Sequence, residues 1–362
     1  MKKALAVFLS FFMIASSLSI DTFASPQGIS LSAESAALID ATSGELLFEK
    51  NGDRRMGMAS TTKIMTALVA AECCDIKKTI EVSPDAVGIE GSSIYLYAGE
   101  RFTLEELLYA LLLRSANDAA AAIAIAVGGS IEKFAEMMNA RAEEMGLVNT
   151  HFTNPHGLYD KEHYTSAHDL AVISSHLLQN DVLRRIVSTY KITIPFYESS
   201  DNTRFLVNHN KMLKLYDGAI GIKTGFTKAT GRCLVSAAER DGLTLIAVTL
   251  NAPDDWNDHK KLLDLGFDSY ESVLIAEAGS FLYQMPLVGG KESYVRLVNT
   301  KELRLTLPKL RDELKCRVET YHRFEFAPTY AGAELGRVIY LYNGKAVASS
   351  PLLCAEFAER AK

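Results

Sequence analysis

A chain of 362 residues exceeds the usual length of one domain, so two domains and a sizeable buried core are expected. Hydrophobic residues at 48%, charged residues at 23% and nine scattered prolines exclude a disordered, collagen-like or multi-span membrane chain. The net charge of −6, with no lysine- or arginine-rich block, lacks the electrostatic footprint of a nucleic-acid binder.

In chain order, Lys2 and Lys3 precede an apolar run over 4–20 that ends among small residues, the pattern of a secretory signal peptide cut after Ala24. The alternative is an uncleaved membrane anchor, which serines at 10, 16, 17 and 19 dilute; either places the folded part outside the cytoplasmic membrane. Residues 36–40 and 46–49 read as the strands of a hairpin turned by Ala41-Thr42-Ser43-Gly44. A buried helix is predicted from near Ser60, because 63–72 is rich in Ala, Leu and Met without Gly or Pro. Thr103-Leu104-Glu105-Glu106 is a capping box opening a second helix to about 113. Further helices are predicted over 118–127, 131–146, 167–180 and 257–270. Strands are predicted over 218–224, 231–239 and 243–251, the last two joined by the hairpin turn Arg240-Asp241-Gly242. Beyond about 273 the chain alternates polar and apolar residues, as in 293–298 and 336–342, with Asn343-Gly344 as a turn. The expected division is therefore a signal peptide over 1–24, a first domain over 28–271 and a small all-β domain over 273–356.

Three short motifs carry chemistry. In Ser60-Thr61-Thr62-Lys63, a serine and a lysine three apart at a helix start project from one face and can exchange a proton. Ser115-Ala116-Asn117 lies between two helices, where a loop can aim a hydroxyl and an amide into a cleft. Lys223-Thr224-Gly225 ends a strand whose edge could hold an extended peptide while Lys223 and Thr224 attract a carboxylate. Each alone has a plain structural reading: Ser60 or Ser115 as a helix cap, Asn117 as turn chemistry.

Together, in this order, the motifs resemble those of serine penicillin-binding proteins and β-lactamases. Within that group, Met58-Ala59-Ser60-Thr61-Thr62-Lys63-Ile64-Met65-Thr66 and Asn154-Pro155-His156-Gly157-Leu158 resemble the low-molecular-weight D-alanyl-D-alanine carboxypeptidases. So do Tyr164-Thr165-Ser166-Ala167-His168-Asp169, Gly221-Ile222-Lys223-Thr224-Gly225-Phe226-Thr227 and the β-rich tail. The resemblance implies an α+β fold: a serine β-lactamase/DD-peptidase-like domain, its antiparallel sheet flanked by helices, followed by a small all-β domain. It implies that Ser60 is the acyl-ester nucleophile, Lys63 its general base and Ser115 a proton relay. Asn117, Lys223, Thr224, Gly225 and Phe226 would bind substrate, with the backbone N–H groups of Ser60 and Phe226 forming the oxyanion hole. The implied partners are peptidoglycan stem peptides and β-lactam antibiotics, in cell-wall or spore-cortex biogenesis, with no cofactor and no metal.

Some relatives carry His after Lys-Thr-Gly and an upstream Arg that helps bind the terminal carboxylate; here Phe226 and Asn208-His209-Asn210 stand instead. Thr224 and Lys223 are left as the main carboxylate ligands, with Arg204 or His209 as candidates to assist. His151, His156, His163 and His168 fit no regular zinc spacing, and Trp256 is assigned to core or rim packing. The five cysteines, at 73, 74, 233, 316 and 354, read as buried small hydrophobes. Rival readings are a β-lactamase, although no Glu-x-x-Leu-Asn segment is present, a D,D-endopeptidase, and a non-catalytic wall-binding protein. The segment 354–362 is too short and too charged for stable membrane binding, which leaves a weak membrane-surface or wall association.

Overall fold

The structure is a computed structural model that describes residues 29–196, 199–309 and 314–362, so the expected signal peptide lies outside the described residues. Five antiparallel strands form the central sheet in the spatial order Leu46–Lys50, Ser35–Asp40, Leu243–Leu250, Gly231–Arg240 and Ala219–Thr227. The expected turn at Asp241-Gly242 closes one hairpin with φ of 50° and 78°, the double-positive pattern that matches strand twist. Because successive strand side chains point to opposite faces, Ile246, Val248 and Leu250 enter one core while Leu245 and Ala247 enter another. Both faces are thus covered, and the Leu243–Leu250 strand is buried throughout.

Helices fill the larger core: α1 (Lys63–Cys73), α2 (Leu104–Leu113), α3 (Asn117–Gly128), α4 (Ile131–Glu144), α5 (Ala167–Gln179) and α6 (Asp181–Ser188). After the short α7 (Met212–Leu215), α8 (Asp255–Ser269) covers the opposite face. The all-round apolar composition of α1 is explained by its position, since its first eight residues are buried among the other helices. The capping box of α2 forms: Glu106 N–H donates to Thr103 Oγ1 at 3.2 Å and Thr103 N–H donates to Glu106 Oε2 at 2.7 Å. Elements that escape the sequence reading include α6, capped by Asn180 Oδ1 accepting from Val182 and Leu183 N–H, the short α7, and the ribbons of Lys191–Phe196 with Ser199–Val207 and of Thr79–Glu81 with Arg101–Thr103.

From α8 the chain passes directly into the strand Tyr270–Ala276, which pairs with Leu303–Pro308. A six-stranded sheet follows, in the order Lys315–Thr320, Glu334–Tyr342, Lys345–Cys354, Tyr294–Val298, Leu282–Val288 and Glu325–Phe326. The expected α+β domain followed by an all-β one is therefore present. The segment after Cys354 folds back, bridging Thr329 through Ala358 and Gly290 through Arg360, and Arg296 pairs with Glu356 at 2.9 Å. Among the described residues no helix is long and apolar enough to cross a membrane.

The cysteines correct one expectation. Cys233 and Cys354 are buried, but Cys73 and Cys316 are exposed and Cys74 is half-buried. The apolar run of α1 ends at the surface, so its last residues leave the core.

Candidate active site

Ser60 sits in a single 3₁₀ turn, Ala59–Thr62, that runs into α1. Neither serine named by the motifs caps a helix: the turn begins after Met58, and α3 begins after Ala116, both without a side-chain cap bond. The residue before Ser60 is held at φ 47°, a left-handed conformation that costs an L-residue about 1–2 kcal/mol. Its support is local. Thr153 N–H donates to His163 Nδ1 at 3.0 Å, which leaves Nε2 as the protonated nitrogen, 2.7 Å from Thr62 Oγ1. Thr62 Oγ1 in turn donates to Ala59 O at 2.7 Å. Burial holds the His163 imidazole neutral, its pKa lowered to about 4.

Lys63 is wholly buried, with Nζ 3.0 Å from Ser60 Oγ, 2.7 Å from Asn117 Oδ1 and 2.5 Å from the His156 carbonyl oxygen. Desolvation, reinforced by the neighbouring Lys223 charge and opposed by Asp118, pushes its pKa well below the usual lysine range. A neutral amine has two N–H donors and one lone pair. Asn117 Oδ1 and His156 O can only accept, so they take the two hydrogens and leave the lone pair for the Ser60 hydroxyl. His156, weighed as a metal ligand, thus contributes its backbone, while its ring is kept neutral by burial with a pKa near 3.

Ser115 stands at φ 60° in the break between α2 and α3, 5% exposed, and lines the cleft with Ser60. Asn117 opens α3, and its Nδ2 donates to Glu90 O at 2.5 Å. The next residue, Asp118, gathers the Ser93 hydroxyl at 2.6 Å and the Leu96 N–H at 3.0 Å, which fixes the 92–96 loop over the cleft.

The strand Ala219–Thr227 ends the sheet beside the nucleophile turn. A Cβ on Gly225 would lie 3.1 Å from the backbone N of Ser60, so glycine is what lets the strand approach. Lys223 is 1% exposed, its Nζ donates to Thr224 O at 2.9 Å, and burial lowers its pKa to about 7.

Ser60, Ser115, Thr224, Gly225 and Phe226 line one cleft of about 400 Å³ together with Ser92, His209, Lys211, Arg232, Asp255 and Trp256. Five of the eight expected site residues thus line one cleft, while Lys63 is hydrogen-bonded to Ser60 and Asn117 to Lys63, and the Lys223 charge acts on Lys63. Arg204 corrects another expectation. It forms a buried ion pair with Glu100 at 2.9 Å and donates to Ile94 O and Tyr95 O at 3.0 Å, so it braces a loop instead of lining the cleft. Sequence reasoning missed Lys211, Arg232 and Asp255. For Arg232 a signal existed, since counting back across the hairpin makes it the cross-strand partner of Phe226.

Comparisons with known proteins place the chain in a family. Residues 21–254 match the D-alanyl-D-alanine carboxypeptidase family and residues 270–360 match the penicillin-binding protein 5 C-terminal domain. The D-alanyl-D-alanine carboxypeptidase DacF of Bacillus subtilis is 33% identical over 339 residues, covering 91% of this chain and 86% of that protein. DacA of Haemophilus influenzae is 30% identical over 95% of this chain and 91% of its own length. The crystal structure of penicillin binding protein 5 from Haemophilus influenzae has a TM-score of 0.79 at 29% identity, covering 92% of this chain and all of that one. With residues 21–254 and 270–360 both matched, the chain belongs to the serine-type D-alanyl-D-alanine carboxypeptidase family.

Proposed function

We propose that the protein removes the terminal D-alanine from peptidoglycan stem peptides through an acyl-enzyme on Ser60, and that β-lactams acylate the same serine. The observation that carries this reading is the buried Lys63 amine 3.0 Å from Ser60 Oγ, desolvated and beside a second cation. Neutral Lys63 takes the Ser60 proton as Oγ attacks the carbonyl carbon between the two D-alanines. The oxyanion that forms is held by the backbone N–H groups of Ser60 and Phe226, each donor contributing about 3 kcal/mol in serine hydrolases. Ser115 relays a proton to the leaving amine, D-alanine departs, and water hydrolyses the ester with Lys63 again as base. Asn117 retains one amide hydrogen for a substrate carbonyl after bonding Glu90 O, and Lys223 supplies the field that keeps Lys63 neutral.

Residues 1–24 act as the export signal in this reading, 28–271 as the catalytic unit and 273–356 as its β-rich companion, on the outer side of the cytoplasmic membrane or in the wall. Purified wild-type and Ser60→Ala proteins are to be compared for free D-alanine released from a peptide ending in D-Ala-D-Ala. Release by wild type alone supports the reading; equal release by both, or none by a folded wild type, rejects it.

A further inference from the structure

Arg232 opposes Phe226 across the hairpin, so its side chain shares the sheet face of Phe226 and Thr224, directed toward the start of α8. There Asp255 Oδ1 accepts from Arg232 Nη2 at 2.8 Å, and the guanidinium lies 5.7 Å from the centre of the Trp256 ring. The clamp is incomplete in a particular way. Asp255 takes one of five N–H donors, Arg232 Nε is buried without a hydrogen-bond partner, and the side chain remains 41% exposed where it lines the cleft. Asp255 itself is 3% exposed. Burying a carboxylate to orient a guanidinium at a cleft wall is costly, and a second carboxylate on the free donors offsets that cost.

We propose that Arg232, oriented by Asp255 and Trp256, binds the α-carboxylate of the departing D-alanine. The assignment rests on the Ser60 reading and deepens it. It gives a physical account of how this chain recognises a free C-terminus, although Arg204 is committed to Glu100 and Phe226 brings no charge. The planar fork matters as well as the charge, because two N–H groups fixed in one plane match both carboxylate oxygens.

The test compares a peptide ending in D-Ala-D-Ala with the same peptide carrying a C-terminal amide, in wild type, Arg232→Gln and Arg232→Lys. Charge-assisted hydrogen bonds predict that wild type prefers the acid in kcat/KM by roughly 10–100-fold. In Arg232→Gln the preference is expected to fall to within about threefold of unity, and in Arg232→Lys to an intermediate value. A thermal melt of each variant reports folding independently. An acid preference kept at the wild-type level in Arg232→Gln overturns the assignment and leaves the Ser60 reading standing, as does an equal loss on both substrates. Absence of turnover in wild type overturns both.

Discussion

Lys63 Nζ stands 3.0 Å from Ser60 Oγ, and its two other partners, Asn117 Oδ1 and His156 O, have no hydrogen to give it. Replacing Lys63 by Met keeps the volume and removes the base. Acylation by a fluorescent penicillin is expected to slow about 10²–10⁴-fold, the usual worth of a positioned general base, with the fold retained. Stopped-flow labelling measures it, and a change below about threefold would remove Lys63 from the mechanism.

The pH dependence follows from the same burial. With its pKa lowered, Lys63 becomes a competent base as pH rises through a range below that of ordinary lysine, so the acylation rate climbs there. The Lys223 charge is the second cause of that lowering, so Lys223→Met is expected to move the ascending limb to higher pH. An unshifted limb would show that desolvation alone sets it.

Lys223 also links pH to stability. Its folded pKa is about 7 against 10.5 for the free side chain, so the unfolded chain binds more protons between those values. The burial penalty is fully present below about pH 7 and is relieved as pH rises toward 10.5. Lys223→Met is therefore expected to melt higher than wild type at pH 7, by about 1–2 kcal/mol or several degrees. That difference should shrink as pH rises toward 10, which differential scanning calorimetry can follow.

Gly157 and Gly129 separate two costs. Both are left-handed, at φ 86° and 85°, but a Cβ on Gly157 would collide with the Ala59 carbonyl, while one on Gly129 meets nothing within 4 Å. Gly129→Ala is expected to lose about 1–2 kcal/mol with normal acylation. Gly157→Ala should lose about 3 kcal/mol or more and acylate at least tenfold more slowly, because the nucleophile turn must shift. Urea unfolding with penicillin labelling measures both.

What was legible in the sequence was local or carried by motif. The capping box at Thr103 and Glu106 and the Asp241-Gly242 turn are decided within four residues, and the structure contains them. Ser60, Lys63, Ser115, Asn117 and Lys223 are legible through the resemblance that their three motifs carry together; Ser60 and Ser115 line one cleft, and Lys63 bonds both Ser60 and Asn117. What escaped depends on contacts distant in sequence. Arg232 and Asp255 lie 23 positions apart and meet only where the hairpin passes the start of α8. The left-handed Ala59 is not foreseeable from an alanine; His163, 101 residues from Thr62, is needed to support it. Arg204, a candidate to assist carboxylate binding in sequence, is neither that nor a solvated surface charge, because a lone arginine gives no sign of Glu100, 104 residues earlier.

The Arg204–Glu100 pair yields a further expectation. Both side chains are buried, so Arg204→Met strands a carboxylate and should cost about 3–5 kcal/mol in denaturant unfolding. If Arg204 is a brace, the preference for a free C-terminal carboxylate in the folded variant stays at the wild-type level. A collapse of that preference would return Arg204 to the binding site.

The central claim is that Ser60 forms the covalent intermediate. Wild-type and Ser60→Ala proteins are to be incubated with penicillin, digested with trypsin and mapped by mass spectrometry, which isolates Ser60 in the fragment 56–63 between Arg55 and Lys63. The account predicts a penicilloyl mass on that fragment, persisting for minutes or longer, and none in Ser60→Ala. An adduct on another fragment, an adduct lost within seconds, or no adduct on folded wild type would contradict it.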